Sequence, residues 1–475
     1  MLDILLINPN SSAKPEHVDL AAGVTPPLGI CYVSAFLKQQ GLKAKVLDAN
    51  ALQLANDQIM ALIGKEKPMA IGLSAITPLI ITTYRLVDEI KENFSQIKII
   101  LGGPHATALP EKTLAENKNV DVVVRGEGEI TALNLLRALK AGASLAEVKG
   151  IAWRQAGRII VNESQAAIAD LDSLPEPDRA DLPINKYVPS TKWFNRLPFM
   201  TVMTSRGCPN NCVFCSSIFG RSVRFRRPQN VLTEIKNLIS DFGVREIIFY
   251  DDTFTLSKSR VYELCDLFIQ NKLDITWGCL SRVDRVDGEL LRKMKAAGCH
   301  LMAYGIESGS TEMLAVMRKN INLGQAEEAI RETKKAGIDC SASFVFGLPG
   351  ETKETMQKTI DFSLKINPLF AQFFRVVPYP GTDLFDIYLR QKQSAAIDWG
   401  DFVGLGDAGN LIKLDQISEA DFNYYLRKSY RRFYLRPRKI GQLFFKMLSP
   451  HKIKGLLIAG WLFVKFFLAR KTEAV

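Results

Sequence analysis

Three cysteines, Cys208, Cys212 and Cys215, fall in Thr204-Ser-Arg-Gly-Cys-Pro-Asn-Asn-Cys-Val-Phe-Cys-Ser216, a C-x₃-C-x₂-C array. Three soft thiolates on one short loop make a pocket for an iron–sulfur cluster. A [4Fe–4S] cluster held by three thiolates leaves one iron open to an outside ligand. A zinc knuckle or three structural thiols are the competing readings. Structural zinc takes four protein ligands, and this loop holds no fourth Cys or His.

Polar residues follow other apolar runs. Phe249-Tyr-Asp-Asp-Thr-Phe254 carries Asp251 and Asp252, which suit an ammonium group or an ordinary acidic turn. Arg282, in Gly278-Cys-Leu-Ser-Arg282, suits a bidentate grip on a carboxylate, or a pair with Asp284 or Asp287. Gly305-Ile-Glu-Ser-Gly309 offers Glu307 and Ser308 to hydroxyls, or begins a helix capped near Ser310. Gly347, in Phe344-Val-Phe-Gly-Leu-Pro-Gly-Glu351, lets the backbone approach a flat ring. Pro378-Tyr-Pro-Gly-Thr382 would wall a substrate mouth.

These segments need strands that end beside one another. Apolar runs at Ile4–Ile7, Ala44–Leu47, Ala70–Ser74, Ile97–Leu101 and Val120–Val124 alternate with helical patterns. That alternation predicts βαβ units on a parallel, doubly wound sheet over residues 1–145. A hairpin (Ile151–Arg154, Ile159–Asn162) and a proline- and acid-rich stretch then predict a linker over 146–194. Strand candidates at Phe199–Thr204, Glu246–Tyr250, Thr276–Cys279, His300–Gly305, Ser341–Phe346 and Ala371–Val377 are separated by five helical stretches. Six units predict a partial (β/α)₆ barrel over 195–390, with its chemistry on the loops after the strands. The fold class is therefore α/β, with a basic helical region over 391–475.

At 475 residues the chain is too long for one core. An apolar content of 47% is ordinary for a globular protein. Cys31, Cys265, Cys279, Cys299 and Cys340 fall in apolar stretches and read as buried thiols, not as a disulfide framework. The N-terminus has no basic region before its apolar run, which excludes a signal peptide and implies a reducing cytoplasm. The net charge is +11, yet residues 427–471 hold thirteen Lys/Arg and no Asp/Glu. The rest of the chain is near neutral, so nucleic acid is a poor match for the body of the protein.

Taken in order, the cysteine array and the strand-end segments resemble the radical S-adenosylmethionine (SAM) superfamily. The resemblance covers about residues 195–385. The members most similar are the cobalamin-binding ones, relatives of the anaerobic magnesium-protoporphyrin ester cyclase. The resemblance implies that Cys208, Cys212 and Cys215 hold a [4Fe–4S] cluster. It implies SAM contacts from Asp251, Asp252, Arg282, Glu307, Ser308 and Gly347. It also implies that the first module binds cobalamin. Matching pieces include Ser74-Ala-Ile-Thr77, Gly102-Gly-Pro-His105 and Gly126-Glu-Gly-Glu129. Ser74, Thr77, Gly102, Gly103, His105 and Glu127 are the implied contacts, around a slot that admits the nucleotide tail. The D-x-H-x-x-G loop that gives many cobalamin domains an axial histidine is missing here.

The implied enzyme splits SAM reductively to a 5′-deoxyadenosyl radical and methylates an unactivated carbon. A cyclase or oxidoreductase without methyl transfer is the alternative, and a non-catalytic cluster- or cofactor-binding sensor a third. An electron donor such as flavodoxin or ferredoxin is implied. Tyr424–Pro437 alternates aromatic and basic residues, and Gly455–Val464 is apolar but too short to span a bilayer. The pair predicts a helix at an anionic membrane surface on the cytoplasmic side, and a hydrophobic, lipid-like substrate. A helix packed on the protein with a solvated basic face is the competing reading.

Overall fold

The computed structural model describes residues 2–10, 23–190, 193–392, 397–402 and 411–447. Five parallel strands open the chain: β1 (Ile4–Asn8), β2 (Ala44–Asp48), β3 (Ala70–Ser74), β4 (Lys98–Gly102) and β5 (Val122–Val124). Their order is β2-β1-β3-β4-β5, the flavodoxin-like doubly wound arrangement. On β1, Ile4 and Leu6 join a core with Ile30 and Ala132, while Leu5 and Ile7 join one with Ile59 and Ile80. Burial on both faces is why these strands read as unbroken apolar runs.

The hairpin departs from the expected linker. Its strands β6 (Ile151–Gln155) and β7 (Arg158–Val161) extend the first sheet antiparallel from β5. Ile151, Ala152 and Trp153 are buried there. The sheet of the first module thus runs to Val161, not to 145. Beyond it, adjacent residues stitch opposite modules together. Asp178 accepts from Ser34 of the first module at 2.6 Å, while Arg179 reaches Glu234 and Thr201 of the second at 2.6 and 3.0 Å.

The second sheet contains β8 (Phe199–Val202), β9 (Glu246–Phe249), β10 (Thr276–Ser281), β11 (Cys299–Glu307), β12 (Asp339–Phe346) and β13 (Phe370–Arg375). All are parallel and neighbours in chain order. Helices Pro228–Phe242, Lys258–Gln270, Gly288–Ala296, Leu323–Lys335 and Lys353–Ile366 connect them. The partial barrel is as expected, and the five predicted buried thiols are buried. On β11 and β12, Ala303, Gly305, Ser343 and Val345 keep partial exposure between buried neighbours.

The first part of the basic tail packs on the barrel. Helix Glu419–Tyr434 lies along the outer edge of β13. Tyr430 Oη accepts from Phe373 N at 3.2 Å and donates to Phe373 O at 2.9 Å. Tyr434 Oη does the same for Ala371 at 3.0 and 2.8 Å. Phe422 and Phe433 are fully buried beneath the helix. Residues 424–434 are therefore a packed cover for a sheet edge, not a free membrane segment; the apolar stretch from Gly455 lies outside the described residues. If the phenols close this edge, Tyr430→Phe with Tyr434→Phe, which removes four hydrogen bonds, should destabilise the protein by ~2–4 kcal/mol, at roughly 0.5–1 kcal/mol per lost bond. Urea unfolding checks this, and an unchanged midpoint would refute it.

Candidate functional site

The cysteine loop is tied down at its foot. Asp251, just beyond β9, accepts from Thr204 N at 2.6 Å, from Ser205 N at 3.2 Å and from the Thr204 hydroxyl. Ser205–Arg206 then pairs antiparallel with Arg224–Phe225, with Arg206 opposite Arg224. Gly207 turns the chain at φ +95°; a Cβ there would strike Ser222 O at 2.5 Å. All three cysteines sit on the loop so closed. Val213, between Cys212 and Cys215, is buried and donates from its N–H to Met317 O at 3.1 Å. Asn210 Nδ2 donates to Cys208 Sγ at 3.3 Å.

The thiols are free and close enough to act on one another. Desolvation raises Cys212 against the pull of Lys319 and Arg282, and Cys208 adds to the rise. Desolvation, Cys212, Asp252 and Cys208 push Cys215 up to about 11. Neighbouring thiols resist ionising together until a cationic centre joins them, and metal binding supplies that charge. Among the described residues, no three His, Cys, Asp or Glu side chains converge on a single-ion site. The donor chemistry suits a polynuclear iron–sulfur cluster.

The strand-end residues divide into two sets. Three are already engaged in holding the scaffold. Asp251 is buried and bonded to Thr204 and Ser205. Arg282 forks onto Asp284 at 2.9 and 3.1 Å and donates to Lys319 O at 3.0 Å. Ser308 Oγ bonds Thr359 Oγ1 at 3.0 Å and accepts from Ser310 N at 3.1 Å. In each case a buried polar group found a partner within the protein. Ser310 also caps helix Thr311–Val316, as the alternative reading had it.

Of the other three, Glu307 and Gly347 are buried and Asp252 is exposed past β9. Gly347 holds φ +96° at the end of β12, and its N–H donates to Glu351 Oε2 at 3.1 Å. Burial pushes Glu351 up to about 7 against the Thr355 and Gly347 hydrogen bonds. Glu307 has φ +72° and pairs with buried Lys319 at 2.8 Å. Lys319 lies between Arg318 and Asn320, both also at positive φ (+52° and +51°). Such non-glycine strain gathers at functional sites. Sequence reasoning missed Lys319 because a lysine after a short helix carries no motif; only the fold sets its charge beside Cys212 and Cys215.

A cavity of about 240 Å³ opens at the carboxyl ends of the first sheet. Ser74, Gly102, Gly103 and Glu127 line it, with Met203, Arg206, Ile218 and Phe219 from the cysteine side. Added Cβ atoms at its Gly29 and Gly126 would meet nothing within 4 Å, and at Gly102 only Val124 O at 3.8 Å. The glycines keep this apolar slot open for a flat or slender group.

Thr77 and His105 do not line the slot. Both are buried, with Thr77 Oγ1 3.2 Å from His105 Nδ1. Trp399 stands edge-on to the imidazole at 4.7 Å. Glu127 lines the slot, but its carboxylate already meets Arg206 at 2.9 Å and Arg224 at 2.5 Å. Arg206 also reaches Glu129 at 2.7 Å. Burial would lower the Arg206 guanidinium, yet Glu129 and Glu127 hold it above its usual range.

The B12 binding domain model matches residues 18–136, and the radical SAM superfamily model matches residues 202–363. A curated relative, the "uncharacterized methyltransferase" PH0819 of Pyrococcus horikoshii, is 34% identical over 462 residues, covering 96% of this chain and 98% of that one. The chain belongs to the cobalamin-binding radical SAM family. The anaerobic magnesium-protoporphyrin IX monomethyl ester cyclase of Rubrivivax gelatinosus is 31% identical over 442 residues, covering 91% of this chain and 77% of its own. The fold is shared with the methyltransferase TsrM of Kitasatospora setae at 17% identity and a TM-score of 0.70, over 84% of this chain and 76% of that one. It is shared also with OxsB, at 17% identity and a TM-score of 0.73, over 96% and 72%.

Radical SAM enzymes of this family use a [4Fe–4S] cluster, SAM and cobalamin. The thiol loop and the glycine-lined slot fit the first and last of these.

Burial holds His105 down to about 4, from an ordinary 6.5. The folded chain therefore keeps a neutral ring where the unfolded chain takes up a proton. Stability from this group is full above pH 6.5 and falls as pH drops toward 4. Wild type should lose about 2 kcal/mol more than His105→Gln between pH 7 and pH 5. Paired urea titrations at the two pH values measure the difference; equal losses would refute it.

Proposed function

We propose that this protein methylates an unactivated carbon, with its own residues dividing the work between two facing modules. The observation that carries this reading is the slot wall: it is built jointly by the B12-matching module and by Ile218 and Phe219 of the cysteine loop. When bound, the cluster and SAM supply the radical that opens a C–H bond, and cobalamin supplies the methyl.

Cys208, Cys212 and Cys215 would hold three irons and leave the fourth open. Lys319, fixed by Glu307, would meet the carboxylate of SAM through a buried charge pair. The backbone at Gly347 would lie against the adenine, with Asp252 at the rim. Ser74, Gly102 and Gly103 would face the cobalamin tail. We place the modules at residues 1–161 and 195–390, joined by the proline-rich stretch. The protein's contribution is position and the exclusion of water, since the difficult chemistry belongs to the cofactors. A low-potential donor such as flavodoxin or ferredoxin would supply the electron.

A hydrophobic substrate met at an anionic, cytoplasmic membrane surface is favoured by the far end of the chain. Helix Pro437–Met447 leaves Ile440, Phe444 and Phe445 exposed at 52%, 54% and 75%. Among the described residues, no helix is long and apolar enough to cross a membrane. The cyclase relative supports a second reading, ring closure without methyl transfer.

Anaerobically reconstituted protein should carry about four irons per chain and form 5′-deoxyadenosine from SAM under a strong reductant. Replacing Cys208, Cys212 and Cys215 by Ala should abolish both. Deoxyadenosine from that variant would overturn the site. Product mass separates the two chemistries, because a transferred methyl adds mass and ring closure removes hydrogen.

A further inference from the structure

The foot of the cysteine loop is gripped by the wall of the slot. Arg206 and Arg224 stand opposite each other where the two legs of the loop pair. Both send a guanidinium to one carboxylate, Glu127, at 2.9 and 2.5 Å. Glu127 belongs to the other module, at the N-terminal end of helix Gly128–Ala141. Arg206 is forked across that same turn, with its second arm 2.7 Å from Glu129. Its guanidinium also lies over two rings, Tyr32 of the first module at 5.0 Å and Phe219 of the loop at 5.2 Å.

Every charged member of this group is nearly closed to water, with side-chain exposures of 4% for Arg206, 10% for Arg224, 7% for Glu127 and 4% for Glu129. A buried guanidinium–carboxylate cluster tolerates few alignments, because displacing one member strands the others unpaired. Arg206, Glu127, Glu129, Tyr32 and Phe219 also line the slot. A ligand there therefore touches the clamp itself, and through it both legs of the loop that carries the thiols.

We infer that Glu127 is a positioning residue that couples the two cofactor sites, so that loading the cluster tightens cobalamin binding and the reverse. The clamp joins wall and loop through these ion pairs, and each cofactor stabilises the half of it that its own site supplies. Linkage requires the effect to be reciprocal. The inference rests on cobalamin occupying the slot.

The test compares hydroxocobalamin affinity, by equilibrium dialysis with absorbance, in cluster-reconstituted protein and in the Cys208→Ala, Cys212→Ala, Cys215→Ala variant. The wild-type protein should bind at least ~5-fold more tightly than the cluster-free one, the lower bound of ordinary coupling. Glu127→Gln keeps the shape and removes the charge, and should bring that ratio to near one in the same pair of backgrounds. Arg224→Gln is the second variant, since it leaves the Arg206–Glu129 pair in place, and it should shrink the ratio likewise. A wild-type ratio of one, or a ratio that survives both substitutions, would overturn the coupling while leaving the cobalamin site intact. Failure of hydroxocobalamin to bind any of these proteins would overturn the site and the coupling together.

Discussion

A single buried carboxylate, Glu127, holds both legs of the cysteine loop at once. Loops are ordinarily the most mobile part of a fold, yet a cluster and its open iron must be held at a fixed place. The chain meets that demand by closing the loop three times. Asp251 fixes the entry strand, the short ladder joins the legs, and the carboxylate of the neighbouring module fixes the ladder. Charged pairs so deep in a protein add little net stability, because desolvation offsets their attraction, but removing one partner leaves the other buried and uncompensated. The placement of the thiols is thus a property of both modules together.

Much of the architecture was legible in the sequence. Strands buried on both faces advertise themselves as apolar runs, so β1 to β5 and β8 to β13 were found to within a few residues. The hairpin is legible as two strands, but the sheet they join is not. Its sheet partner, β5, has three residues, and nothing local says that Ile151–Gln155 pairs with them. The tail was ambiguous for another reason. Tyr430 and Tyr434 alternate with arginines, and that pattern fits a lipid surface as well as a sheet edge; only the neighbouring strand decides.

The candidate site was legible where chemistry needs a rare residue type. Three cysteines at that spacing have few other uses. Aspartate, arginine and serine at strand ends have many, and the loops need them for their own hydrogen bonds. Asp251, Arg282 and Ser308 all make hydrogen bonds of this kind within the protein. The same limit hid Lys319, whose importance comes from what it faces. His105 is an implied cobalamin contact in the sequence, but the chain returns at Trp399 and covers it.

The two tyrosines on the last helix have a geometric corollary. Four residues of helix advance about 6 Å, and two residues of strand advance about 6.6 Å. Tyr430 and Tyr434 are four apart, and Ala371 and Phe373 are two apart. A helix can therefore stand in for a missing seventh strand, its phenols serving as both donor and acceptor in a borrowed ladder. Sheets invite further strands until something ends them, and here the stop is cut to the strand's own pitch. A one-residue insertion between the two tyrosines would rotate one hydroxyl off the edge and reopen the sheet to foreign chains.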